Sequence, residues 1–308
     1  MTSKTSVVQK NNLSPREKRF IVARRFFSNN MLLSGSIIIA IMTILALFAP
    51  LIAPFNPYEI NTIQRLESPS ATHWFGTDNF GRDLLSRVLY GTRVSFIVGC
   101  SVAVLASVIG LVIGIVSAYN TILDHVLMRI VDGLYAFPSI LLAMAIVAVM
   151  GPKTINVVLA LTVVYIPSIA RVVRSAALVV KEQTFIEALR AQGASNFRIM
   201  VIHMFPNVIS PLIVQSTFIF AVSILTEAAL SFLGAGIPAP APSLGNILYD
   251  GKSVIYNSWW MTVFPGVFVV ALVLGLNLLG DGLRDFLDPK TRGMIKRKRL
   301  FKRGGVNG

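Results

Sequence analysis

Six apolar runs, each about as long as a bilayer is thick, constrain this chain before any other feature. Residues 31–53 read MLLSGSIIIAIMTILALFAPLIA without one charge. A helix rises about 1.5 Å per residue, so crossing about 30 Å of hydrocarbon takes roughly 20 mostly apolar residues. Residues 94–118, 134–150, 155–173, 208–233 and 261–280 supply five more such runs. Pro138 stands near the start of the third, the turn Gly151-Pro152-Lys153 follows it, and Pro167 is expected to kink the fourth. Only 14% of residues are charged, against about 25% in a typical soluble domain, while 54% are hydrophobic. That is too little charge to coat a water-facing globule and too much apolar surface for a disordered chain. The first run has thirty residues before it, a long apolar core and no small-residue cleavage site, so it reads as an anchor rather than a secretion signal. The expectation is an all-α polytopic membrane protein with six transmembrane helices. No repeat of 20–50 residues is visible. Cys100, the single cysteine, excludes an intrachain disulfide and is expected to be a small buried hydrophobe.

The net charge of +14 raises nucleic acid as a partner until the charges are located. With the N-terminus inside, the inner segments 1–30, 119–133, 171–207 and 281–308 hold 22 of the 28 Lys and Arg residues. The outer segments hold Arg65, Arg82, Arg87, Arg93, Lys153 and Lys252. Such a bias places both termini in the cytoplasm. Membrane topology and anionic lipid then account for the excess without DNA or RNA. The chain divides into a basic tail (1–30), the first span with an outer loop (31–93), a five-helix core (94–283) and a second basic tail (284–308).

Three connecting segments carry the functional information. Between the fourth and fifth runs, residues 181–207 place Phe185, Ile186, Leu189 and Phe197 at helical spacing, with Glu187, Arg190 and Arg198 opposite. Gly193 suits a left-handed turn ending one short helix, Ser195 or Asn196 can cap a second, and Pro206 can open the next span. Two short helices across the cytoplasmic face suit a partner's groove, and equally an ordinary amphipathic helix lying on the membrane interface. In the outer loop, His73-Trp74-Phe75-Gly76-Thr77-Asp78-Asn79-Phe80-Gly81-Arg82-Asp83 runs into Leu84-Leu85-Ser86-Arg87. Asp83 and Arg87 stand at the i,i+4 spacing of a helix ion pair. Leu84, Leu85, Val88 and Leu89 predict a short interfacial helix, and Asp78 and Asp83 read as structural rather than metal ligands. At the end of the sixth run, Gly280 and Gly282 are expected to break the helix, leaving Asp281, Arg284, Asp285 and Asp288 to pair around its end.

These segments resemble the permease subunits of ABC importers. Glu187-Ala188-Leu189, Gly193 and His203-Met204-Phe205-Pro206 are similar to the coupling motif EAA, three residues, Gly, nine residues, I-x-L-P. Both spacings match, while Leu189, His203 and Phe205 depart from it. The outer run resembles the FGTD..GRD..SR signature of the C-type subunit in dipeptide, oligopeptide, nickel and glutathione importers. Asn277-Leu278-Leu279-Gly280-Asp281-Gly282-Leu283-Arg284-Asp285 with Leu287-Asp288-Pro289-Lys290 resembles that subunit's ending. The resemblance implies a type I ABC importer permease fold and a coupling role for Glu187, Ala188, Leu189, Gly193, His203 and Pro206. It makes Phe75, Gly76, Thr77, Asp78, Gly81, Arg82 and Asp83 a family signature. The implied partners are a homologous second permease, two ABC ATPases that carry the ATP and Mg2+, and an external binding protein. No cofactor or metal falls to this chain itself, and the peptide, glutathione or metal-chelate nature of the cargo stays open.

Inside the membrane Glu227 is the only acid, a candidate for the pathway, a gate or an interhelix hydrogen bond. Gly110 and Gly114 are spaced for close helix packing. Arg171 and Arg174 are expected to snorkel to headgroups. Enzyme signatures fail: five residues separate Gly245 from Gly251-Lys252-Ser253 where a phosphate loop needs four, and His73, His125 and His203 are scattered. A stand-alone transporter would call for internal repeats or more charge at mid-membrane, and a membrane enzyme for a polar cluster at one interface.

Overall fold

In the computed structural model, which describes residues 15–287, the chain is an assembly of helices without a β-sheet among the described residues. Helix α1 is Pro15–Ser28 and α2 is Asn30–Leu47. The first run does not continue straight to residue 53. It breaks at Phe48, because Pro50 in the first turn of the four-residue α3 (Ala49–Ile52) has no N–H to donate backwards. After the loop 54–83 come α4 (Leu84–Tyr119), α5 (Thr121–Tyr135), α6 (Ser139–Met150) and α7 (Thr154–Lys181). Beyond the short α8 (Thr184–Ala191) lie α9 (Asn196–Arg198) and a π-helical stretch (Ile199–Met204). The chain continues through α10 (Phe205–Phe232) and α11 (Leu244–Lys252) to α12 (Trp260–Leu287).

Among the described residues, five helical stretches, beginning at Asn30, Leu84, Thr154, Asn196 and Trp260, are long and apolar enough to cross a bilayer. The third expected span is different. Residues 134–150 hold the end of α5 and the 12-residue α6, about 18 Å of helix, which meets α5 at 93° across Ala136–Pro138. Pro138 disfavours helical geometry in the residue before it, so the two form a bent pair and not one straight crossing. The expected interfacial helix is also absent. Leu84, Leu85, Val88 and Leu89 are all buried and open the 36-residue α4 without a break. Gly280 and Gly282 do not end the last helix, which runs on to Leu287; a Cβ on Gly282 would lie 2.5 Å from the Leu32 backbone, so this glycine admits α2 against α12. Asp288 lies outside the described residues. Cys100 is half-buried, not enclosed.

Packing centres on α4 and α7. Val98, Val102, Ala106, Leu161, Ile169 and Val173 form one cluster with α6 and α10, while α2, α11 and α12 close a second around Leu84, Val88 and Ile224. Gly110 and Gly114 are the close-approach points: a Cβ there would stand 2.8 Å from Ile169 and 2.7 Å from Val173. Replacing Gly114 by Val overpacks that crossing. We expect a loss of about 1–3 kcal/mol, read as a lower melting temperature of the detergent-solubilised protein.

Candidate functional site

The segment after α7 begins as its spacing predicts. The α8 helix ends at Ala191, and Gly193 adopts φ +80°, where a side chain is strained. Its N–H donates to the Arg190 carbonyl at 2.9 Å and the Ala194 N–H to the Leu189 carbonyl at 3.0 Å, closing the helix end. Ser195 caps α9, its Oγ accepting from the Arg198 N–H at 3.4 Å. The second short helix is not separate, however. Asn196–Phe232 is one helical run of 37 residues, with Pro206 in the first turn of α10. A π stretch lets the chain shift phase there without breaking.

The apolar face divides differently from the expectation. Ile186, Ile199 and Met204 are fully buried in the main cluster, and Leu189 packs against it. Phe185 and Phe197 turn outward, 43% and 71% exposed, beside exposed Glu187, Ala188 and Arg190. One helical stripe cannot hold all four residues because Gly193 changes the chain direction between Leu189 and Phe197. His203 is half-buried, its Nε2 without a partner, and its carbonyl accepts from Asn207 Nδ2 at 2.7 Å.

At the other end, the loop 54–83 folds around buried charge. Asp78 Oδ2 accepts from Arg82 Nε at 2.6 Å and lies 3.2 Å from Arg87 Nε, while its Oδ1 accepts the Phe80 and Arg82 N–H groups. Asp250 of α11 reaches Arg82 Nη2 at 3.8 Å. Burial pushes its carboxyl above the usual range, opposed by Arg87 and Arg82. The expected Asp83–Arg87 side-chain pair does not form. Asp83 Oδ2 caps α4 instead, accepting Ser86 N–H at 2.8 Å and Ser86 Oγ–H at 2.7 Å, and its Oδ1 lies 2.8 Å from His73 Nδ1. A carboxylate that caps a helix is turned back on its first amides, which leaves Arg87 to Asp78. Gly76 and Gly81 both have positive φ, Thr77 takes the Trp260 indole N–H on its carbonyl at 3.2 Å, and Phe75 stacks on Phe264.

Glu227 is fully enclosed. It accepts from Ser95 Oγ of α4 at 2.8 Å and from Ser231 Oγ at 2.9 Å, the geometry of an interhelix bond. Arg171 and Arg174 do not snorkel: they bond Asp132 at 2.7 Å and Asp124 at 2.6 Å on α5, because the bend at Pro138 lays α5 across their face. Sequence spacing gave no sign of these pairs, nor of Asp250 and Trp260, since each joins elements far apart in the chain. Among the described residues, no three His, Cys, Asp or Glu side chains converge as metal ligands would.

Five long apolar helices, a bent pair and two built ends define a multi-pass membrane subunit of the permease kind. The chain belongs to the family of binding-protein-dependent transport system inner membrane components, which residues 110–293 match. Residues 21–69 match the N-terminal TM domain of oligopeptide transport permease C. The dipeptide transport system permease protein DppC of Alkalihalophilus pseudofirmus is 44% identical over 86% of this chain and 87% of its own. The glutathione transport system permease protein GsiD of Escherichia coli O6:K15:H31 is 41% identical over 88% and 90%. The MetNI methionine ABC transporter, solved in inward-facing conformations, shares the fold: TM-score 0.56, 24% identity, 66% of this chain and 97% of that one.

Two substitutions separate the charge sites. Asp78→Asn leaves two buried guanidiniums with too little negative charge, and we expect a loss of about 3–5 kcal/mol in thermal unfolding. The same measurement on Asp132→Asn, whose ion pair is exposed, should show less than about 1 kcal/mol.

Proposed function

We propose that this chain is the permease subunit of an importer that carries di- or oligopeptides across the cytoplasmic membrane, with both termini in the cytoplasm. A homologous second permease encloses the pathway with it. Two ATPases bind the 183–198 segment, and an external binding protein docks on residues 54–93 and 234–260. ATP and Mg2+ belong to the ATPases; this chain holds no nucleotide or other cofactor. ATP closes the ATPase pair and shifts the subunits toward an outward-open state, and hydrolysis returns them. Glu227 serves by holding α4 to α10.

The observation that carries this reading is the outward face of the segment, where Glu187, Ala188 and two exposed aromatic rings, Phe185 and Phe197, project from a buried base of Ile186 and Ile199. Exposed aromatics on a rigid mount are the residues that anchor protein interfaces. The bias of 22 basic residues on the inner segments supports the same orientation. Similarity to a dipeptide permease supports peptide cargo, and the 41% identity to a glutathione permease supports a small peptide-like solute as the second choice.

Co-purification with the candidate ATPases tests the assignment. Phe197→Ala, on an exposed side chain, should cost about 2 kcal/mol of association, roughly a 30-fold weaker complex, without changing the melting temperature. Gly193→Pro forbids the left-handed turn and should abolish association. Unchanged binding in both variants would overturn the docking assignment.

A further inference from the structure

The ATPase-facing segment is covalently continuous with α7 on one side and α10 on the other. A third helix reaches it without any such link. The last turn of α4 meets the segment through Tyr119, whose Oη donates to Asn196 Oδ1 at 2.6 Å, while the Arg190 guanidinium lies over the Tyr119 ring at 5.4 Å. Lys181, the last residue of α7, donates from Nζ to the Ala118 carbonyl at 2.9 Å and the Tyr119 carbonyl at 3.4 Å. Those carbonyls belong to the end of α4, where a cation is favoured by the helix dipole and by the unpaired acceptors. Asn120 then turns the chain, its Oδ1 accepting from the Ile122 and Leu123 N–H groups.

From that corner α4 runs 36 residues, about 54 Å, to its cap at Asp83. Of the four helices of 28 residues or more among the described residues it is the one without an internal proline: α7 contains Pro167, α10 contains Pro211 and α12 contains Pro265. Proline removes a backbone hydrogen bond and favours bending, so α4 lacks the bend sites that the other three carry. Its far end is held by buried contacts. Arg87 is ion-paired to Asp78 and donates to the Pro57 carbonyl, and Asp83 is bonded to His73. Ser95 ties it to Glu227 between the two ends.

We propose that Tyr119 and Lys181 are positioning residues that fasten the ATPase-facing segment to α4, and that α4 carries the segment's displacement as a stiff rod to the 73–83 loop at the opposite end. This rests on the ATPase-docking role proposed above. Hydrogen bonds at one end of an unbroken helix, and an ion pair with hydrogen bonds at the other, make the two faces of the subunit move together.

The complete complex, with its second permease, ATPases and binding protein, is reconstituted in vesicles, and peptide uptake is measured against ATP hydrolysis. Tyr119→Ala and Lys181→Met should keep the ATPases bound and lower peptide imported per ATP by about fivefold or more. Tyr119→Phe, which keeps the ring beneath Arg190 and loses only the bond to Asn196, should recover part of that loss. A merely structural role would lower the yield of folded complex and leave the ratio in the surviving complex at the wild-type value, which would overturn the proposal. A second arm bridges Tyr119→Cys to Asn196→Cys with a short bismaleimide in a Cys100→Ala background. The unbridged pair lacks the Tyr119 contact, so bridging should raise peptide imported per ATP toward the Cys100→Ala value. A ratio unchanged or lowered by bridging overturns the proposal. Failure of the wild-type chain to bind any ATPase would overturn the docking role itself, and is read separately from the ratio.

Discussion

The close crossing of α4 and α7 is the contact on which the rest of this fold depends. Between helices in lipid there is little hydrophobic gain to be had, since the tails are as apolar as the side chains, so association rests on packing and on buried hydrogen bonds. Gly110 and Gly114 remove two side chains and let the Ile169–Val173 stretch of α7 approach the α4 backbone. Once these two helices are set, α10 lies across α4 through the Ser95–Glu227 bond and across α7 through Tyr165 and Thr226, whose hydroxyls are 2.6 Å apart. The ends of α4 and α7 then fix where the two elaborate connections begin.

Both ends solve the same electrostatic problem in different ways. At the loop end the charges are buried, and burial is tolerable only with partners: Asp78 is shared by Arg82 and Arg87, and Asp83 divides its oxygens between a helix cap and His73. A loop held so firmly is a platform. At the segment end, Lys181 and Tyr119 meet a helix terminus, while Glu187, Arg190 and two phenylalanines are left facing outward. That surface is built on a buried base and suited to receive a partner. Family membership gives both ends their meaning, since importer permeases act between an external binding protein and cytoplasmic ATPases.

Local features were legible wherever one residue's own chemistry decided the outcome. Gly193 takes the left-handed turn because a side chain is strained there, and Ser195 caps because its hydroxyl sits beside orphan amides. Apolar runs gave five of the spans because hydrocarbon offers backbone groups no partner but each other. Features settled by choice among partners were not legible. Asp83 had both Arg87 and the amides of its own helix within reach, and the amides won. Arg171 and Arg174 could extend to headgroups only if α5 lay elsewhere; the bend at Pro138 brought Asp132 and Asp124 to them.

The sequence by itself therefore determined the class of protein, five of its helical spans and the turn at Gly193. Each is set by length, polarity or the conformational range of single residues. Only the tertiary structure decided that Ile186 and Phe197 face opposite ways, that Gly282 seats α2 instead of ending α12, and that α4 is one unbroken helix with both ends fastened. These depend on which surface arrives opposite which, a matter of three-dimensional approach between residues far apart in the chain.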